Sequence, residues 1–106
     1  MSGDTKMLHT VNKSPFEKTA LSSCLRLAKN GSGILLLEDA VYAALQGTSL
    51  TDDIAGRCKD FQFYALGPDL AARGLSDKPV IDGFKIIDYE GFVDLVAEHD
   101  AVHSWL

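Results

Sequence analysis

Apolar residues fall into short blocks separated by turn chemistry, and the blocks read alternately as strand and helix. Met7 to Val11 is strand-like in composition. Asn12-Lys13-Ser14-Pro15-Phe16-Glu17 then predicts a helix start: Ser14 as N-cap, Pro15 at the first helical position, and Glu17 closing a capping box. That helix is expected to reach about Lys29, where Asn30-Gly31 stops it. Gly33 to Leu37 is apolar without alternation, which predicts a strand buried on both faces, as in a parallel sheet. Glu38-Asp39 opens a helix through Ala40, Val41, Ala43, Ala44 and Leu45 that ends at Gly47.

The second half repeats the alternation. Thr51 to Lys59 is weakly amphipathic, with Ile54 and Ala55 facing inward, and Phe61 to Leu66 is a third strand. Gly67-Pro68-Asp69 turns into a short helix, Leu70 to Arg73, closed by Gly74. A loop with Pro79 and Gly83 leads to a fourth strand, Phe84 to Ile87. Asp88 caps a helix from Tyr89 to about His99 with apolar positions Phe92, Leu95 and Val96, and Val93 beside them. Ala101 to Leu106 reads as a short final strand, in which Trp105 is a large group to bury. The pattern predicts a small three-layer α/β domain over residues 7–106, with a mostly parallel sheet of four to five strands and helices on both faces. Residues 1–6 read as a mobile extension, native or added by cloning. Strand order stays open, although right-handed crossovers limit it.

Composition narrows the function classes. The 106 residues are 46% hydrophobic and 24% charged, which fits one globular domain. Ten basic against fifteen acidic residues leave a net charge of −5, and no two basic residues are adjacent. Nucleic-acid affinity rests on clustered Lys and Arg, so the chain is a poor candidate for gripping DNA or RNA itself. The longest apolar run, Ile34 to Leu37, is far below the ~20 residues of a membrane span, and Met1 to Lys6 holds no apolar signal region. Cys24 and Cys58 make no disulfide framework, which points to a reducing cytoplasm and two free thiols.

Ligands of open α/β sheets collect beyond the C-terminal strand ends, here Asn12 to Ser14, Glu38-Asp39 and Gly67 to Asp69. The first offers helix N-terminal amides with Lys13 nearby, a place for an anion, but no nucleotide-binding motif accompanies it. His99 and His103 would share a face if they stood on one helix, yet no third ligand has a persuasive spacing, so neither metal nor cofactor is expected. On a helical wheel Phe16, Ala20, Cys24 and Ala28 form a ladder flanked by Leu21, Leu25 and Leu27. Cys24 is thus the candidate thiol, with two readings: a small buried hydrophobe, or a nucleophile on a face open to a partner subunit. Nothing near Cys58 suggests activation.

Four blocks carry a resemblance: Leu8-His-Thr-Val-Asn-Lys-Ser-Pro-Phe16, Leu35-Leu-Leu-Glu-Asp-Ala-Val-Tyr-Ala43, Tyr64-Ala-Leu-Gly-Pro-Asp-Leu-Ala-Ala-Arg-Gly-Leu75 and Asp88-Tyr-Glu-Gly-Phe-Val-Asp-Leu95. Together they resemble the DsrH/TusB family over essentially Met7 to Leu106. The resemblance implies a cytoplasmic sulfur-relay subunit, assembled with homologous DsrE/TusD-like and DsrF/TusC-like chains into a heterohexamer. Such a complex passes persulfide sulfur to a DsrC/TusE-like carrier. It serves sulfur oxidation in the DsrH branch and 2-thiolation of the tRNA wobble uridine in the TusB branch. Cys24 falls where DsrH-type chains carry a cysteine in the first helix, so the chain is similar to DsrH more than to TusB. That makes Cys24 the candidate persulfide cysteine. A structural subunit with no chemistry of its own is the alternative, since the principal persulfide cysteine belongs to the DsrE or TusD subunit.

Overall fold

The computed structural model describes residues 6–16 and 19–106. Its strands are β1 (Met7–Val11), β2 (Gly33–Leu36), β3 (Gln62–Leu66), β4 (Lys85–Ile87) and β5 (Ala101–Trp105). Its α-helices are α1 (Ala20–Leu27), α2 (Thr51–Arg57), α3 (Gly67–Ala72) and α4 (Tyr89–Glu98), with a 3₁₀ helix at Glu38–Ala44. The five strands form one sheet in the order β4-β3-β2-β1-β5, and every pairing is parallel. The expected three-layer α/β architecture is therefore present, with β2 central and buried at every residue.

The two faces of the sheet are covered unequally. Val11, Ile34, Leu36, Phe63 and Ala65 pack with Leu21, Cys24 and Leu25 of α1, the 3₁₀ alanines, Ile54 of α2 and Leu70 of α3 in one large core. The opposite face has a smaller apolar cluster of Leu8, Leu35 and Leu95, with Leu37, Tyr64, Ile87 and Phe92 packed against it, and α4 is the helix in that cluster. Burying an apolar side chain stabilises by roughly 1.5–3 kcal/mol, so the first face supplies most of the stability.

Several local expectations are corrected. The first helix begins at Ala20, not at Pro15. Ser14 Oγ accepts the amide of Phe16 at 3.2 Å, a local turn that competes with helical capping. The Glu17 half of the predicted capping box lies outside the described residues, as does nearly all of the extension read at residues 1–6. Phe16 is consequently exposed rather than first in the buried ladder, and Leu27 is exposed as well. Residues 38–44 form a 3₁₀ helix, which lets four small or branched apolar residues pack closely against the sheet. In α2 only Ile54 is buried and Ala55 faces out. Asp88 does cap α4, its Oδ1 accepting the Gly91 amide at 2.8 Å.

Candidate functional site

Cys24 sits in the third quarter of α1 and faces the larger core. Its side chain is 0% exposed and lies among Leu21, Leu25 and the sheet residues. Burial pushes its thiol from the ordinary 9.0 up to about 12. A nucleophilic sulfur is a thiolate, favoured by cations or helix N-termini, and among the described residues neither feature stands beside this one. Cys58, at the C-terminus of α2, is partly buried and its thiol is also raised by desolvation. Its Sγ approaches the carbonyl oxygens of Ile54 at 3.6 Å and Asp82 at 3.7 Å.

The three loops at the C-terminal strand ends do lie together beyond β1, β2 and β3. Because α1 starts five residues later than expected, the amides imagined beside Ser14 and Lys13 are not a helix N-terminus. The other two loops are tied to each other. Asp69 Oδ2 accepts the Glu38 amide at 2.6 Å, and Arg73 holds Asp39 Oδ1 at 2.9 Å while its Nη1 donates to the Asp69 carbonyl at 3.1 Å. Among the described residues Glu38 is the one non-glycine residue with positive φ, at 48°. These contacts tie the loops after β2 and β3 to each other.

His99 and His103 do not share a helix face. His99 caps α4, buried, with Nδ1 2.6 Å from the Leu95 carbonyl, and His103 stands on β5. Among the described residues no three His, Cys, Asp or Glu side chains gather as a metal site.

Two features escaped the sequence reading. The register pairs His9 with His103 across β1 and β5, and Val11 with Trp105. Trp105 Nε1 donates to His9 Nδ1 at 3.0 Å, while the His103 ring stacks on the indole at 4.4 Å. Finding this needed the β1–β5 pairing, which strand periodicity alone does not fix. The second feature is an open apolar stripe on α4, formed by Phe92, Val93, Val96 and Ala97, with Val93 67% exposed. Tyr89, Ile86 and Val102 are further exposed apolar residues. Scattered exposed hydrophobes are ordinary, but a contiguous stripe marks an interaction surface.

Comparison with known proteins decides the family. A family profile described as "DsrH like protein" matches residues 13–102. Protein TusB of Escherichia coli K12 is 37% identical over 99 residues, covering 93% of this chain and all of that protein. Protein TusB of Shigella flexneri matches to the same extent.

The chain belongs to the DsrH/TusB family of sulfur-relay subunits.

Solved structures agree on the fold. The ychN protein of E. coli superposes with a TM-score of 0.82 at 22% identity, covering 95% of this chain and 99% of that one. MTH1491 of Methanobacterium thermoautotrophicum, a protein of unknown function, gives 0.76 at 14% identity with the same coverage. No helix among the described residues of this DsrH/TusB chain is long and apolar enough to cross a membrane.

Proposed function

We propose that this chain is the assembly subunit of a cytoplasmic sulfur-relay complex, docked against TusD/DsrE-like and TusC/DsrF-like subunits, with the persulfide carried by a partner's thiol. The observation that supports this reading is Cys24, which is fully buried and whose thiol burial pushes up to about 12, both of which oppose nucleophilic chemistry in the folded chain. The stripe on α4 and the thinly covered sheet face give the subunit a surface for such partners. Among the two branches, curated relatives named TusB at 37% identity favour service in wobble-uridine 2-thiolation. A DsrC/TusE-like carrier is the acceptor in either branch. The acidic balance suits handing sulfur to a protein and leaves tRNA contact to later components.

A second reading makes Cys24 itself a persulfide carrier in a DsrEFH-type sulfur-oxidation complex. It rests on the cysteine standing at the DsrH position of the first helix. It requires α1 to move, because a sulfur donor cannot reach an atom at 0% exposure.

The test is intact mass of each subunit after the complex, co-expressed with its homologous neighbours, meets a persulfide donor. Under the assembly reading a reducible single-sulfur adduct appears on a partner, and Cys24→Ala leaves transfer to the carrier unchanged. An adduct on this chain that vanishes in Cys24→Ala selects the second reading. Failure to co-purify with any homologous chain overturns both.

A further inference from the structure

We propose that His9 and Trp105 form an acid-released latch on the C-terminal edge strand, in which neutral His9 holds the indole of Trp105 and protonated His9 lets it go. The basis is one bond and its polarity. Trp105 Nε1 carries a hydrogen and can only donate, so His9 Nδ1, 3.0 Å away, must present a lone pair. The His9 proton therefore sits on Nε2. A proton taken at Nδ1 turns the acceptor into a second donor facing the indole N–H, and the contact becomes repulsive.

The surroundings set where this happens. His9 is 6% exposed, yet it lines a groove with Met7, Leu27, Ala28, Lys29 and Ser32 through which solvent protons reach it. From β5 it faces His103, whose ring centroid is 5.7 Å away. From β2 its register neighbour is the uncharged Ile34. From the segment after α1 the charged group is Lys29. The carboxylate nearest in sequence to β5, Asp100, is bonded to the Lys6 amide at 2.7 Å. Among the described residues, the groups facing His9 are therefore neutral or cationic, and no carboxylate lines its groove to favour an imidazolium. Burial first, and then His103, lower its pKa from the ordinary 6.5. The latch is closed at neutral pH and opens in mild acid. Because β5 is the edge of the sheet, the Trp105 indole, with the His103 ring stacked on it, turns toward solvent while the β1–β5 ladder stays paired. Two nitrogens, one of them engaged by the indole, do not make a metal site, so the pair is read as a proton sensor.

Trp105 is the only tryptophan, so its emission reports the surroundings of this one indole, the His9 bond and the stacked His103 ring together, and variants at His9 and His103 separate them. The full chain is titrated from about pH 8 to about pH 5, the range over which histidine changes charge. Far-UV circular dichroism is followed in parallel. The expected result is a reversible, quenched and red-shifted emission with a midpoint below 6.5 while the dichroism holds. His9→Asn keeps an acceptor but cannot titrate, and its emission should stay flat. His103→Ala should keep the transition with its midpoint moved upward, because the repelling ring is gone. A flat wild-type profile, a transition that survives in His9→Asn, or one lost in His103→Ala overturns the proposal. So does an emission change that coincides with loss of the dichroism signal. If His9→Asn does not fold, the direction of the His103→Ala midpoint decides alone.

Discussion

Gly33 and His99 are fitted to one another: a Cβ at residue 33 would stand 2.8 Å from His99 Nε2 and 3.1 Å from Leu8 Cδ1. Gly33 opens the central strand, and His99 is fixed over it by the 2.6 Å contact between its Nδ1 and the Leu95 carbonyl. The ring cannot retreat without breaking that bond. Gly33→Ala should therefore lower stability by about 1–3 kcal/mol, the usual range for overpacking a filled core. Urea denaturation measures it. The double variant Gly33→Ala with His99→Ala should recover part of the loss, since the two residues share the strain. An additive double variant would show that the clash relaxes elsewhere.

Thiol chemistry should separate the two cysteines. With its pKa near 12, Cys24 is ionised to only about one part in ten thousand at pH 8. Native-state labelling with a maleimide should modify Cys58, partly buried, well before Cys24, which reacts only when the chain opens. The same shift couples to stability. The folded thiol is raised, so its contribution is intact below 9.0 and is lost as pH climbs from there toward about 12. Cys24→Ala should flatten the fall in melting temperature over that alkaline range. Equal labelling rates for the two thiols in the native state would contradict the buried placement.

The parts legible in the sequence are those whose cause is local. Ile34 to Leu36 is an unbroken apolar run, and β2 is buried throughout, because a strand with neighbours on both sides and helices above and below has no polar face to show. Asp88 was readable as a cap because its carboxylate serves an amide three residues on. Ser14 carried the same kind of signal but spent its oxygen on the Phe16 amide, and no helix begins there. Val93 and Val96 follow helical spacing as faithfully as Leu95. They remain exposed because this face of the sheet is covered too thinly to enclose them. The His9–Trp105 bond joins residues ninety-six positions apart and depends on strand order. Cys24 lay between two readings because periodicity places it on an apolar face without saying how tightly that face is sealed.

The loops after β2 and β3 should prove mutually dependent. Asp69 Oδ2 holds the Glu38 amide at 2.6 Å, at the point where Glu38 adopts φ 48°. Asp69→Ala hands that exposed amide to water and leaves the left-handed turn unsupported, for an expected loss of about 0.5–1.5 kcal/mol. Glu38→Gly relieves the left-handed backbone and should not destabilise the chain. Arg73→Ala should cost less than Asp69→Ala, because the Asp39 carboxylate it pairs with is largely exposed. Thermal melts of the three variants give the ranking. A larger loss for Arg73→Ala than for Asp69→Ala would mean that the ion pair, not the amide bond, holds the two loops together.

The α4 stripe gives the sharpest test of assembly. Val93 and Val96 are 67% and 42% exposed, on a helix anchored by the Asp88 cap and by buried Leu95. A charge placed there meets solvent in the free subunit and an apolar partner in the complex. Val93→Glu should therefore leave the melting temperature of the isolated chain within about 0.5 kcal/mol equivalent of wild type, as surface changes do. The same change should weaken association by at least about tenfold, since burying an unpaired carboxylate in an interface is strongly unfavourable. Val93→Leu, which keeps the stripe apolar, should assemble normally. Size-exclusion chromatography of the co-expressed subunits reads the outcome. Should Val93→Glu assemble as well as wild type, the partner contact lies on another face and the stripe is left without a role in the complex.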